Sequence, residues 1–268
     1  MRRLIVSLTI GLIISGSLAM TLASEGLATG LQSDLPTGHM ASLLADGQAV
    51  FGIFSREKMP EEGAELVANR EPDFIFYSME TGPFDIPRMQ AFMKGMIDNA
   101  GSEGTHATAL RIPPIRDGHS EARERVAMGI ESGVDSIVFP HVETAEEAML
   151  AVQMMGTNGW PANEQGKLVN VLLIEDQVGI ANAREIVNVP GVSVVIPGPG
   201  DLSRAYGGDQ EATENAIQTV LAACLEFNIP CGITAGVNDI AERLDQGFEV
   251  IIVTEPEALS VGRRAAGR

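Results

Sequence analysis

The sequence predicts an α/β fold, a single-domain (β/α)₈ TIM barrel. Three observations predict it. Eight short apolar runs recur along the chain, rich in Val and Ile and without alternation, as expected of strands buried on both faces. Each run precedes a stretch of helical character, and strand–helix alternation implies parallel pairing. Eight such units in about 230 residues is the size of a closed barrel. No glycine-rich dinucleotide fingerprint follows any run, which disfavours the competing open, doubly wound sheet.

The units follow in order. Ala49–Phe54 is a compact apolar run, followed by a helix pattern around Glu61–Ala68. Phe74–Met79 carries three aromatic residues and precedes the longer helical stretch Ile86–Asn99. Ala107–Ile112 precedes Ser120–Ser132, and Asp135–Phe139 precedes Ala145–Met155. Leu168–Ile174, with five Val, Leu or Ile residues beyond Leu168, precedes Ile180–Val187. Val192–Ile196 precedes Glu211–Phe227, Pro230–Ile233 precedes Val237–Gln246, and Phe248–Val253 precedes the closing segment Pro256–Ala266.

The barrel is assigned to residues 41–268. Ahead of it, Arg2 and Arg3 lead into the apolar run Leu4–Ile14, and small residues follow at Ser17, Ala19, Ala23 and Ser24. That is the pattern of a secretory signal over residues 1–23, with a periplasmic or secreted destination. The apolar core is short for a membrane span, so no stable span is expected after cleavage. An uncleaved anchor, or a start at Met20 or Met40, is the alternative. Residues 24–40, with Gly, Ser, Pro and Thr, read as a polar linker. Losing Arg2 and Arg3 would take the net charge of −18 to −20. A balance that acidic repels nucleic acid, and few aromatics are available to stack on bases. Cys224 and Cys231 fall on a helix pattern and the next strand; an oxidising compartment permits a disulfide between them, but they read rather as two buried free thiols, and no Cys/His cluster has zinc spacing.

In such a barrel chemistry sits on the loops that follow the strands. Glu175 closes the fifth predicted strand and Asp201 lies in the turn after the sixth. Two carboxylates at adjacent strand ends suit a hard divalent cation, Mg²⁺ or Mn²⁺. Singly, each has a simpler use: a salt bridge for Glu175, a helix cap for Asp201. Arg111 ends the third strand, where its fork of N–H donors can hold a carboxylate or enolate oxygen, or else pair structurally with a neighbouring acid. Gly198-Pro199-Gly200 brings bare backbone close to an anion, or simply makes a turn. A metal and an arginine together can bind a 2-oxo acid and stabilise its enolate.

Four stretches carry a resemblance: Leu110-Arg111-Ile112-Pro113, Val138-Phe139-Pro140-His141-Val142-Glu143-Thr144-Ala145, Leu173-Ile174-Glu175-Asp176 and Gly198-Pro199-Gly200-Asp201-Leu202-Ser203. In this order they resemble the HpcH/HpaI aldolases, metal-dependent class II pyruvate aldolases, from about residue 41 onward. The opening Leu44-Ala45-Asp46-Gly47 through Phe51-Gly52 is similar as well. The resemblance implies a (β/α)₈ barrel that makes or breaks a carbon–carbon bond between pyruvate and an aldehyde. It implies a homo-oligomer, trimer or hexamer, with an exchanged C-terminal helix. It makes Glu175 and Asp201 metal ligands, Arg111 the holder of the pyruvate oxygens, and the backbone near Gly198 and Gly200 the seat of its carboxylate.

The sequence departs from that family at the second strand. The family's Asp-x-Glu-His-Gly becomes Ser78-Met79-Glu80-Thr81-Gly82, so Ser78 and Thr81 stand where an Asp–His pair assists proton transfer. Neither hydroxyl is a base near neutral pH. His141 after the fourth strand, Glu80 with its pKa raised by burial, or a metal-activated water are the candidate replacements. His106 and His119 flank the third strand as bystanders, and His39 belongs to the linker. The segment Met155–Pro161, shorter than its family counterpart, is expected to leave the aldehyde side open, with Trp160 at the pocket or in ordinary packing. The reading is a divergent metal-dependent lyase acting on a 2-oxo acid through a metal-stabilised enolate. The alternative is an exported, non-catalytic binder of small carboxylates on the same barrel. An acyl-CoA or ester-linked lyase is a third option, disfavoured by the lack of a basic patch for the CoA phosphates.

Overall fold

A computed structural model describes residues 39–268. The proposed signal sequence and all but the last two residues of the linker lie outside the described residues. The linker's end is corrected: helix α1 spans His39–Ala45, and Met40 is 1% exposed, so the barrel unit begins before residue 41.

Eight strands form the barrel: β1 Val50–Phe54, β2 Phe74–Ser78, β3 Ala107–Arg111, β4 Ser136–Phe139, β6 Leu168–Ile174, β7 Val194–Pro197, β8 Gly232–Ala235 and β9 Val250–Val253. A two-residue strand β5, Gly159–Trp160, pairs with the start of β6. All pairings are parallel, in the order β7-β6-β4-β3-β2-β1-β9-β8. A single bridge, Val195↔Cys231, joins β7 to β8 and closes the ring. The predicted (β/α)₈ barrel is the fold observed.

Strand alternation divides the apolar residues into two layers. Val50, Phe74, Phe76, Ala109, Val138, Val171, Leu173, Val194, Ile196 and Ile252 fill the interior, and Met40, Leu43 and Leu44 of α1 plug its N-terminal end. Phe51, Ile75, Tyr77, Leu110, Ile137, Leu172 and Ile251 face outward and meet the helices. Helices α2 (Pro60–Ala68) and α3 (Ile86–Asn99) pack backbone against backbone, since a Cβ on Gly95 would lie 2.1 Å from the Pro60 carbonyl oxygen. Among the described residues no helix is long and apolar enough to cross a membrane.

The return segment after α5 (Ala145–Met154) differs from expectation. Trp160 sits at the start of β6, paired with Val169, and its carbonyl accepts from Ser193 Oγ. A helix-to-strand connection lies on the N-terminal face, so Trp160 packs under the barrel, and the short Met155–Pro161 segment opens no aldehyde side. The closing helix α11 (Glu257–Ala265) packs on its own barrel, with Ala258 and Leu259 fully buried. Cys224 and Cys231 are buried and free.

One buried charge holds the N-terminal face. Asp73, 5% exposed, accepts the Phe51 N–H at 2.9 Å and both Arg268 Nη atoms at 2.8 and 3.0 Å, with Arg263 at 3.3 Å. Asp73→Ala strands two guanidiniums and an amide, and is expected to cost about 3–5 kcal/mol, because breaking a buried pair leaves uncompensated charge. Urea denaturation measures it; a loss under about 0.5 kcal/mol, the size of a neutral surface change, overturns this account.

Candidate active site

At the C-terminal end of the barrel the loops enclose a cavity of ≈ 210 Å³. Arg111, Glu175, Gly198, Pro199, Gly200 and Asp201 line one part of it, and Phe54, Phe76, Leu173, Ile196, Ile252 and Thr234 the rest. Every substrate- or metal-binding residue predicted from the sequence therefore borders one cavity. Glu80 and His141 join them from the loops after β2 and β4.

Glu80 and His141 are paired: His141 Nε2 lies 3.2 Å from Glu80 Oε1. Glu80 Oε2 lies 3.0 Å from Arg111 Nη2. Arg111 Nε donates to Ser78 Oγ at 2.9 Å, so the serine at the family's aspartate position clamps the arginine. Thr81 is exposed on the loop. On the other side His141 Nδ1 lies 3.4 Å from Glu175 Oε2, which also accepts the His141 backbone N–H at 3.0 Å. Ligand atoms of Glu80, His141 and Glu175 lie within 4.8 Å of one another.

Local structure explains the placement. His141 adopts φ 53°, a left-handed conformation unusual for a residue with a Cβ. The Val142 N–H donates to the Leu173 carbonyl at 2.9 Å, and Arg116 bonds the His141 carbonyl, Glu143 and Glu147. Asn182 Nδ2, at the break between α6 (Gln177–Ala181) and α7 (Ala183–Val187), donates to the Glu143 carbonyl at 2.8 Å. Sequence reasoning missed Arg116; the only signal was a base in the third loop facing the acid-rich fourth. Glu175 leaves the end of β6 and lies over Gly198, where an added Cβ would meet Glu175 Oε1 at 2.7 Å. A side chain at position 198 would press on the Glu175 carboxylate and displace it.

The predicted metal pair is only partly brought together. Glu175 is 4% exposed, whereas Asp201 sits in the first turn of α8 (Pro199–Ala205), inside the helix it was expected at most to cap, and pairs with Arg204. His106 is buried at the N-terminal face, bonded to the Asn69 carbonyl; His119 is exposed on α4 (His119–Glu131); and His39 lies 3.9 Å from Asp73. None approaches the cavity.

Electrostatics follow from these contacts. The bond from His141 holds the Glu80 carboxyl below its usual range against the opposing effect of burial, with Arg111 assisting. Glu80 in turn raises the His141 imidazole, and Glu175 adds to this. Glu80 therefore does not reach the burial-raised state considered for a lone base. Burial, above all, pushes Glu175 up to about 7, and the nearby Asp201 charge pushes the same way. A buried carboxylate repelled by a second one is a site whose charge a divalent cation would relieve, so the donor set fits Mg²⁺ or Mn²⁺.

A parallel barrel with an acid–base cluster at the C-terminal mouth belongs to the large class of (β/α)₈ enzymes. Comparison narrows the class. Residues 56–253 match the HpcH/HpaI aldolase/citrate lyase family model, and the chain belongs to this family, whose chemistry is carbon–carbon lysis and aldol reaction. The chain is 26% identical over 265 residues to a hydroxypyruvate/pyruvate aldolase of Delftia acidovorans, covering 87% of this chain and 94% of that one. A family member of Burkholderia cenocepacia J2315 superposes with TM-score 0.70 at 18% identity, over 86% of this chain and 98% of that one. The citrate lyase beta subunit from M. tuberculosis, complexed with oxaloacetate and magnesium, superposes at 0.60 with 17% identity, over 82% and 98%.

Proposed function

We propose that this protein is a metal-dependent aldolase that draws a proton from the third carbon of a 2-oxo acid such as pyruvate and joins the enolate to an aldehyde, or runs the reverse cleavage. The observation that carries the proposal is the chain of contacts Arg111–Glu80–His141–Glu175 at one cavity. The aldolase named among the relatives and the magnesium and oxaloacetate of the citrate lyase subunit support the same reading.

Glu175, with Asp201, would hold the cation. Bound there, a divalent ion supplies a Lewis acid that polarises the keto oxygen. Arg111 holds the oxygen on which charge develops, its guanidinium fixed by Ser78 and Glu80. The bare backbone of Gly198 and Gly200 receives the carboxylate. His141 sits between the two carboxylates, with Nε2 on Glu80 and Nδ1 on Glu175. Its neutral imidazole takes the C3 proton, Glu80 stabilises the resulting imidazolium, and the proton passes to the alkoxide once the carbon–carbon bond forms. Glu80 and His141 thereby replace the Asp–His pair whose places Ser78 and Thr81 occupy.

Deuterium exchange into the pyruvate methyl group tests this, followed by NMR in D₂O with Mg²⁺, Mn²⁺ or chelator. Exchange that requires the metal is the expected result. A protein that binds pyruvate and cation yet exchanges no methyl proton would overturn it in favour of a carboxylate-binding protein.

A further inference from the structure

The base of the site stands on an unfavourable backbone. Among the described residues, three other than glycine have a left-handed φ: Lys58, His141 and Asn228. Asn228 follows a helix end, where that conformation is common. His141 has no such excuse; it is a single residue in the turn after β4, with φ 53°. A residue with a Cβ crowds its own backbone there, and stays only where the surroundings hold it. The sign of φ also decides on which side of the chain the imidazole stands, here between Glu80 and Glu175.

Arg116 supplies the hold. The pair Arg111↔Val138 sets the loops after β3 and β4 side by side, and Arg116 lies in the first of them. Glu175 takes the His141 N–H, and the Arg116 guanidinium takes the His141 carbonyl, so both backbone polar groups of that residue are fixed. The same guanidinium bonds Glu143, and Glu147 at 3.3 Å; the Glu147 carboxylate in turn accepts the Glu143 N–H at 2.7 Å. One cation thus ties the turn to the start of α5, and it faces three acids once the nearby Asp176 is counted. A partly exposed ion pair contributes little to stability and needs no bond to the carbonyl of a left-handed residue. Arg116 is not among the residues that line the cavity, so it reaches the chemistry only through His141.

We infer that Arg116 is a positioning residue: by holding the His141 carbonyl it fixes the left-handed turn that sets the imidazole between Glu80 and Glu175. The inference rests on the 2-oxo acid reading above and adds a residue to it. Arg116 touches neither substrate nor the cation's carboxylates, so its loss lowers turnover and leaves substrate binding as it was. Lys58 provides the control. Its carbonyl accepts from Arg88 Nε at 3.1 Å, the same device on a turn that takes no part in the proton transfer.

Kinetics of deuterium exchange into the pyruvate methyl group, on the full chain in Mg²⁺, test the inference in wild type, Arg116→Met, Arg116→Lys and Arg88→Met. Arg116→Met is expected to lower kcat about 10²-fold, the cost of a misplaced general base, with KM changed less than about twofold. Arg116→Lys keeps the charge and loses the fork, and is expected about tenfold below wild type; it decides the matter should the Met variant not fold. Arg88→Met stays within about threefold of wild type, since its turn holds no reacting group. Amide exchange at Val142, whose N–H donates to the Leu173 carbonyl at 2.9 Å, quickens in Arg116→Met and not in Arg88→Met. Arg116 variants that keep the wild-type kcat, or raise KM instead, overturn the inference. An equal loss of kcat in Arg88→Met overturns it too, as general loosening of the loops, and so does a slowed Arg116→Met with Val142 protected as in wild type. Any of these with an active wild type refutes the inference alone. A wild type that exchanges no methyl proton refutes the 2-oxo acid reading together with it.

Discussion

Glu175→Gln is expected to abolish metal-dependent exchange, by at least about 10³-fold, and to leave the protein folded. The carboxylate is almost fully buried, and its ordinary acidity is displaced to about 7 chiefly by desolvation. The sign of the linkage follows. A carboxyl raised in the folded state costs no stability at acid pH, where it is protonated in both states, and the cost appears as pH rises from 4.5 through about 7. Glutamine keeps the shape and the acceptor for the His141 N–H while removing the buried charge. At pH 8 without metal, Glu175→Gln is therefore expected to be more stable than wild type by about 1–3 kcal/mol. Divalent cation should raise the melting temperature of wild type and leave the variant unmoved. A variant that keeps its exchange rate, or one still stabilised by cation, would remove Glu175 from the metal site.

The second large effect belongs to the imidazole. Glu80→Gln is expected to slow exchange about 10²-fold, as for loss of the group that orients and supports a general base. Its diagnostic is the pH profile. Glu80 raises His141 above its usual value of 6.5, so the unprotonated base accumulates only at higher pH and wild-type exchange rises through a midpoint above 6.5. Without the Glu80 charge the imidazolium is less favoured, and the limb moves to lower pH. An unmoved limb would assign the titrating base elsewhere, and His141→Asn, which should lose the limb altogether, separates the two cases.

Much of this architecture is legible in sequence, for identifiable reasons. Leu168–Ile174 and Ile86–Asn99 are observed with the limits their patterns predict, because the first is an almost wholly apolar run and the second an amphipathic repeat, each with a clear boundary. The strand expected at Pro230–Ile233 forms instead over Gly232–Ala235, since its first residues meet β7 through only one bridge. Val237–Gln246 shortens to Ile240–Gln246 because Asp239 receives the Gly236 N–H and holds a turn first. Helix α8 was hidden by Gly-Pro-Gly, which reads equally as a turn, yet proline suits the first helical position. Glu175, Arg111 and Asp201 could be found because strand ends in a barrel converge. The Glu80–His141 pair could not, because it depends on the left-handed turn at His141, which the sequence does not announce.

The closing bridge between β7 and β8 has a mechanical consequence. Every other junction of the ring is a ladder of three or more register pairs; this one is a lone rung. Bending of the cylinder concentrates where the fewest rungs resist it, much as a hoop yields at its clasp. Gly198 and Thr234 stand on either lip of that clasp. A molecule touching both would span the junction where the backbone itself supplies the fewest rungs.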